Sequence, residues 1–173
     1  MIIFKTSKKL TEPISLSHRK KNEWMKRLLT RAKHVGDGGE VPIAAVILDI
    51  KGRCIGYGVN KREKMNDPLG HAELIALRQA SLIKDDWRFN DCTLIVNLEP
   101  CPMCAGALIQ ARMGQVIFGA EDPKRGAFGG TINLAEHKSA HHNMLISKGV
   151  LEEESRKLIV NWFKDKRIIS KNI

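Results

Sequence analysis

At 173 residues and 43% hydrophobic content, the chain suits one soluble domain with a full core and is too short for two comfortable ones. No apolar run approaches a membrane span, and Lys5 interrupts the short stretch Met1-Ile2-Ile3-Phe4 before it could serve as a secretory segment, so a cytoplasmic location with no membrane contact is expected. The net charge of +10 lies at the ends: residues 1–21 and 156–173 each hold six Lys/Arg and one acid, and the middle is neutral.

Residues 1–21 read as a basic, flexible extension and residues 22–173 as a single domain. Residues 22–34 have helical periodicity, with Trp24, Met25, Leu28 and Leu29 inward, and the run Gly36-Asp37-Gly38-Gly39-Glu40 ends the helix. Residues 43–48 form a continuous apolar run, as expected of a central strand covered on both faces. A second strand over 53–60 follows a turn at 49–52. From His71 the apolar positions Leu74, Ile75, Leu77 and Ala80 predict a helix. A strand over 92–98 leads to Pro100, which keeps Glu99 extended, and Pro102 suits the first turn of a further helix. Gly106 between Ala105 and Ala107 leaves little bulk on that helix, so something should pack close there.

A strand over 116–120 precedes residues 121–143, rich in Gly, Lys and His, which read as a mobile loop with little core. The last helix opens at Glu152-Glu153-Glu154 and closes with Lys164, Lys166 and Arg167, matching its dipole, with Leu158, Ile159, Trp162 and Phe163 as an apolar stripe. Strands alternating with helices argue for a mainly parallel sheet.

The chemistry concentrates in His71-Ala72-Glu73 and Pro100-Cys101-Pro102-Met103-Cys104. Cys101 and Cys104 are three apart, so at a helix start they reach one ion, and a helix start favours thiolates. With His71 they make three zinc ligands, which leaves a tetrahedral Zn2+ one open position, the mark of a catalytic site. Glu73 is two residues from His71 and so does not share its face, which fits a proton-handling acid beside the ion better than a fourth ligand. A zinc ion there lowers the pKa of water from about 15.7 to about 7. The competing arrangement is a closed structural site with Cys92 or Cys54 as fourth ligand; otherwise these two read as buried free thiols in a reducing compartment. His137, His141 and His142 cluster in the loop, either as a second metal site or as solvated side chains.

His-x-Glu followed by Pro-Cys-x-x-Cys is the signature of the zinc deaminases. Beyond it, the chain resembles the bacterial tRNA-specific adenosine deaminases over residues 22–167. The resemblance is carried by Glu40-Val41-Pro42-Ile43, Asn66-Asp67-Pro68, His71-Ala72-Glu73-Leu74-Ile75-Ala76-Leu77-Arg78, Leu98-Glu99-Pro100-Cys101, Met103-Cys104-Ala105-Gly106-Ala107 and Phe118-Gly119-Ala120 with Asp122, Lys124 and Gly126. It implies a three-layer α/β/α cytidine-deaminase-like fold, one zinc per subunit and a homodimer, with the small-residue helix near the dimer contact. It implies as substrate the adenosine at the wobble position of a tRNA, an arginine tRNA, recognised through its anticodon stem-loop and converted to inosine. By the same resemblance Asn60 hydrogen-bonds the purine, the backbone around Pro42 and Glu99 lines the base pocket, and Asp122 and Lys124 contact neighbouring nucleotides.

The chain departs from the usual pattern at Ala44, at Leu69-Gly70 and in its first 20 residues, none of them a metal ligand. Basic ends on a neutral body suit a protein that holds a phosphate backbone outside its active site, and equally a solvated tail plus the polar face of a terminal helix. Two other functions fit the motifs: deamination of a free base such as guanine or cytosine, and a non-catalytic RNA-binding subunit that keeps zinc for its fold.

Overall fold

In the computed structural model, which describes residues 12–171, Ser17 caps the first helix, α1 (His18–Asp37), by accepting the Lys20 backbone N–H at 3.3 Å. The helix thus starts one turn before the expected Asn22, and residues 18–21, expected in the flexible extension, are helical. Residues 1–11 of that extension lie outside the described residues. Met25, Leu28 and Ala32 are buried, and Trp24 and Leu29 pack at the margin of the same cluster.

Five strands follow the order β2-β1-β3-β4-β5. They are β1 (Ala44–Leu48), β2 (Cys54–Val59), β3 (Thr93–Leu98), β4 (Gln115–Ala120) and β5 (Leu145–Ser147). The short turn at 49–52 can only return the chain antiparallel, and β1 pairs antiparallel with both β2 and β3. β3–β4 and β4–β5 are parallel. The sheet is therefore mixed: β1 alone opposes the other strands, although only half of the pairings are parallel. β5, of three residues, and α2 (Arg62–Met65), of four, are too short for periodicity to reveal.

Alternation along the strands divides the core in two. Ala44, Val46 and Leu48 of β1, with Ile95 and Ile117, face α1 and the final helix α5 (Glu152–Lys171). Ala45 and Ile47, with Leu94, Val96, Val116 and Phe118, face α3 (Ala72–Lys84) and α4 (Pro102–Gln110). The result is three layers, as expected. On α3 the buried face is Ala72, Ala76 and Ala80, which lets the helix lie very close to β2. Gly56 and Gly58 complete that approach: a Cβ at Gly56 would meet the Ala76 carbonyl oxygen, and one at Gly58 the Ala72 carbonyl oxygen.

On α5, Ser155 and Ile159 are buried and Leu158 and Trp162 are half-buried, with the Trp162 indole donating to the Gly36 carbonyl at 2.9 Å. Phe163 does not join the expected inward stripe; it is 42% exposed, edge-on to Trp162 at 5.0 Å. Residues 121–143, expected to contribute little core, bury Ala127 and Phe128 in the cluster beneath α3 and α4. Among the described residues no helix is long and apolar enough to cross a membrane.

Candidate active site

Because β1 opposes its neighbours, the start of β1 and the ends of β2, β3 and β4 fall on one edge of the sheet: Ala44 pairs with Val59, Ala45 with Val96, and Leu98 with Ala120. Every predicted site segment leaves from this edge, the usual place for a ligand crevice in an α/β sheet. The chain beyond β2 is tied back by Lys61 N–H donating to the Gly70 carbonyl at 2.8 Å, which delivers His71 to the same place.

His71 and Cys101 are each the N-cap of a helix, with extended backbone (φ −83°, ψ 144° and φ −71°, ψ 170°), and neither side chain caps its own helix. Cys101 thus precedes its helix instead of sitting within it, and Cys104 is on the first turn. His71 Nδ1 lies 3.7 Å from Cys101 Sγ and 3.5 Å from Cys104 Sγ. All three donor atoms lie within 4.8 Å of one another. A tetrahedral zinc with bonds of about 2.3 Å to sulfur and about 2.0–2.1 Å to nitrogen requires nitrogen–sulfur separations of about 3.6 Å. The donor set and its spacing fit one zinc ion, and two helix N-termini point positive ends at the thiolates it would need.

A hydrogen bond from Cys104, aided by one with His71 and opposed by burial, brings the Cys101 thiol down to about 4. Cys104 is correspondingly pushed up, by that shared hydrogen bond and by burial. His71 is raised by its hydrogen bond with Cys101. Cys92 is buried, with its thiol pushed up to about 12 by desolvation and then by Asp91, whereas Cys54 is exposed, which corrects its expected burial. Among the described residues the one cluster with metal-ligand spacing contains neither of them, nor His137, His141 or His142. His142 instead hydrogen-bonds the Met113 carbonyl at 2.8 Å, and His137 the Ser139 hydroxyl at 2.7 Å.

Glu73 follows one residue into α3 and is only 4% exposed. Desolvation pushes its carboxyl up to about 7, with the Cys101 charge adding to it and the helix-start N–H and His71 opposing. A buried acid whose carboxyl is pushed up by desolvation, beside three atoms that could hold a metal, is an arrangement that general acid–base chemistry can use.

The Asn60 amide is buried and its Nδ2 donates to Glu40 Oε2 at 2.9 Å, while its backbone N–H donates to the Ile43 carbonyl at 3.1 Å. This sets Asn60 beside Pro42, whose carbonyl accepts from Asn97 Nδ2 at 2.9 Å. The Glu99 N–H donates to the Ala120 carbonyl at 2.9 Å, and its carboxylate is occupied by three backbone N–H groups of residues 122–130. Asp122 is half-buried and accepts from the N–H groups of Lys124 and Arg125, and Lys124 is exposed.

Two supporting roles escaped the sequence reading, those of Glu40 and Asn97. Glu40 also accepts the Glu63 and Lys64 N–H groups, and Asn97 Oδ1 accepts the Ala44 N–H at 2.9 Å. Their signal was present: an acid four residues ahead of an apolar strand, and an amide inside one.

Residues 18–120 match the cytidine and deoxycytidylate deaminase zinc-binding region. The tRNA-specific adenosine deaminase of Bacillus subtilis (strain 168) is 40% identical over 83% of this chain and 89% of its own. A solved structure from work on A-to-I editing by tRNA deaminases at the wobble position of transfer RNA superposes with a TM-score of 0.75 at 34% identity, covering 79% of this chain and 98% of that one. The guanine deaminase structure from Bacillus subtilis is 36% identical, with a TM-score of 0.55, over 61% of this chain and 66% of that one.

Proposed function

We propose a substrate for this chain, which belongs to the zinc-binding cytidine and deoxycytidylate deaminase family and is a zinc-dependent hydrolytic deaminase: the adenosine at the wobble position of a tRNA, an arginine tRNA, converted to inosine in the cytoplasm. The observation that carries this reading is the 40% identity to a tRNA-specific adenosine deaminase across most of both chains. The charge supports it, since basic ends on a neutral body suit a backbone-gripping protein better than an enzyme for a neutral base.

In this reading His71, Cys101 and Cys104 would hold the ion, which would supply Lewis acidity and lower the pKa of a nearby water. Glu73 accepts a proton from the attacking water, delivers one to a nitrogen of the adenine ring and then assists the amine to leave as ammonia. Burial, which raises its carboxyl from the ordinary value, suits the side chain to both accepting and returning a proton. Asn60 hydrogen-bonds the purine, the backbone at Pro42 and Glu99 lines the base, and Asp122 and Lys124 meet the flanking nucleotides.

The chain acts as a homodimer in this proposal, joined through the face of α3 and α4. Leu69, Leu74, Leu77, Trp87 and Ala107 line an open apolar groove there, and Leu82 and Ile83 are 79% and 59% exposed. Among the described residues a Cβ on Gly106 would meet nothing within 4 Å, so packing against them does not account for the small residue.

Guanine deamination is the second reading, supported by the 36% identity to a guanine deaminase. Incubation with an anticodon stem-loop followed by sequencing separates the two: adenosine read as guanosine at the wobble position is expected. Ammonia release from guanine with no change in any tRNA would replace the first reading by the second.

A further inference from the structure

We propose that Glu99 is a positioning residue whose buried carboxylate holds residues 122–130 wound around it, fixing the segment that carries Asp122 and Lys124 beside the cysteine turn. Its bearing on substrate rests on the reading above, in which that segment meets RNA.

The carboxylate is 2% exposed. Its Oε2 accepts the Asp122 N–H at 2.9 Å, and its Oε1 accepts the N–H groups of Phe128 at 2.8 Å and Gly130 at 2.9 Å. These donors lie at both ends of the segment, so one side chain clamps the point where it leaves β4 and the point where it turns back. The backbone closes tightly on the carboxylate: a Cβ on Gly126 or Gly130 would collide with Glu99 Oε2. The Ala127 N–H donates to the Pro100 carbonyl at 3.0 Å, one residue from Cys101.

Charge-assisted bonds to a buried carboxylate are roughly twice as strong as neutral ones. This arrangement explains why a stretch that reads as loose in sequence carries buried core residues. It also separates two tasks at one site. The metal donors and Glu73 belong to α3, α4 and their caps, whereas the segment holding Asp122 and Lys124 takes its place from Glu99. Loss of the carboxylate should therefore disturb how RNA is held more than how the base is turned over.

The test uses the full-length zinc-loaded enzyme and an anticodon stem-loop. Glu99→Ala is expected to retain its zinc while KM rises about tenfold or more, the scale of a lost hydrogen bond to a charged group, and by a larger factor than kcat falls. The variant leaves a space ringed by three N–H groups and about the size of acetate. Added acetate should bring KM back toward the parent value and raise Tm in Glu99→Ala, where chloride does not. In Glu99→Gln, an amide NH2 would face an N–H donor and no space would open, so KM should rise without rescue by acetate.

A parent-like KM in Glu99→Ala, a fall confined to kcat, or a KM defect indifferent to acetate overturns the proposal. If Glu99→Ala does not fold, hydrogen exchange in the parent decides: the Asp122, Phe128 and Gly130 amides should be slowed about 100-fold or more relative to an unstructured peptide. Exchange at the free-peptide rate overturns the proposal. A parent enzyme inactive on every tRNA stem-loop would instead refute the substrate reading, while exchange and acetate-dependent Tm would still decide the role of Glu99.

Discussion

Glu73 is an acid held where a carboxylate is costly, 4% exposed on a helix whose buried face is otherwise alanine. Removing it relieves that cost and leaves all three metal donors in place. Glu73→Ala should therefore fold, bind about one zinc per chain and lose about 10²–10⁴-fold in activity, the range of general acid–base catalysis. Deamination near the parent rate by a zinc-replete variant would remove Glu73 from the mechanism. Cys101 and Cys104 have the opposite profile, because each is one of the three grouped side chains proposed to hold the ion. Cys101→Ala should lose most of its zinc, and metal analysis showing an undiminished content would mean that another residue ligates.

At the scale of elements, the approach of α3 to β2 sets where His71 and Glu73 stand. The helix rests on Gly56 and Gly58 through Ala72, Ala76 and Ala80, with carbonyl oxygens in the space a Cβ would need. Gly58→Ala should push the first turn of α3 outward, costing about 1–3 kcal/mol as overpacking and lowering activity by displacing its metal donor and its acid. A denaturation midpoint and kcat/KM both at parent values would show that the helix is not seated this way.

Gly106 makes the contrasting case, since a Cβ there would meet none of the described residues within 4 Å. Gly106→Ala should add about 0.5–1 kcal/mol of helix stability to the isolated chain. If a second copy packs against α4, the added methyl should also weaken the dimer, visible as a shift toward the monomer mass in light scattering at micromolar concentration. A parent protein that is already monomeric there would eliminate the dimer.

Over the whole molecule the net charge of +10 lies at the two ends of the sequence. Lys164 and Arg167 are exposed on the last turns of α5, and Lys166 lies over the Trp162 ring at 5.5 Å. If the basic ends grip about three phosphates of a single-stranded loop, log affinity should fall with log salt at a slope near about −2. Between about 50 and about 200 mM salt, binding of an anticodon stem-loop would then weaken about 20-fold. Charge reversal at Lys164, Lys166 and Arg167 should flatten that slope while zinc content stays at the parent level. An unchanged slope would take α5 out of the RNA surface, and turnover of free guanine should be nearly indifferent to salt throughout.

The members of the His71, Cys101 and Cys104 group were legible in the sequence because their spacing is local and their chemistry is rare: His71 begins one helical pattern, and Cys101 and Cys104 flank a proline that opens another. The major strands and helices were legible for the same reason, since alternation and helical periodicity are carried by neighbours along the chain. What brings His71 within hydrogen-bonding reach of two cysteines about thirty residues away is not local. It depends on β1 alone opposing the other strands, which gathers four chain ends at one edge, and on two glycines that let α3 settle against β2. The burial that lifts Glu73 to about 7 depends on everything packed around it. Residues 121–143 show the same division. Their composition gave every sign of a loose loop, because the group that orders them is a carboxylate more than twenty residues earlier, and only the folded chain brings Glu99 to the backbone it holds.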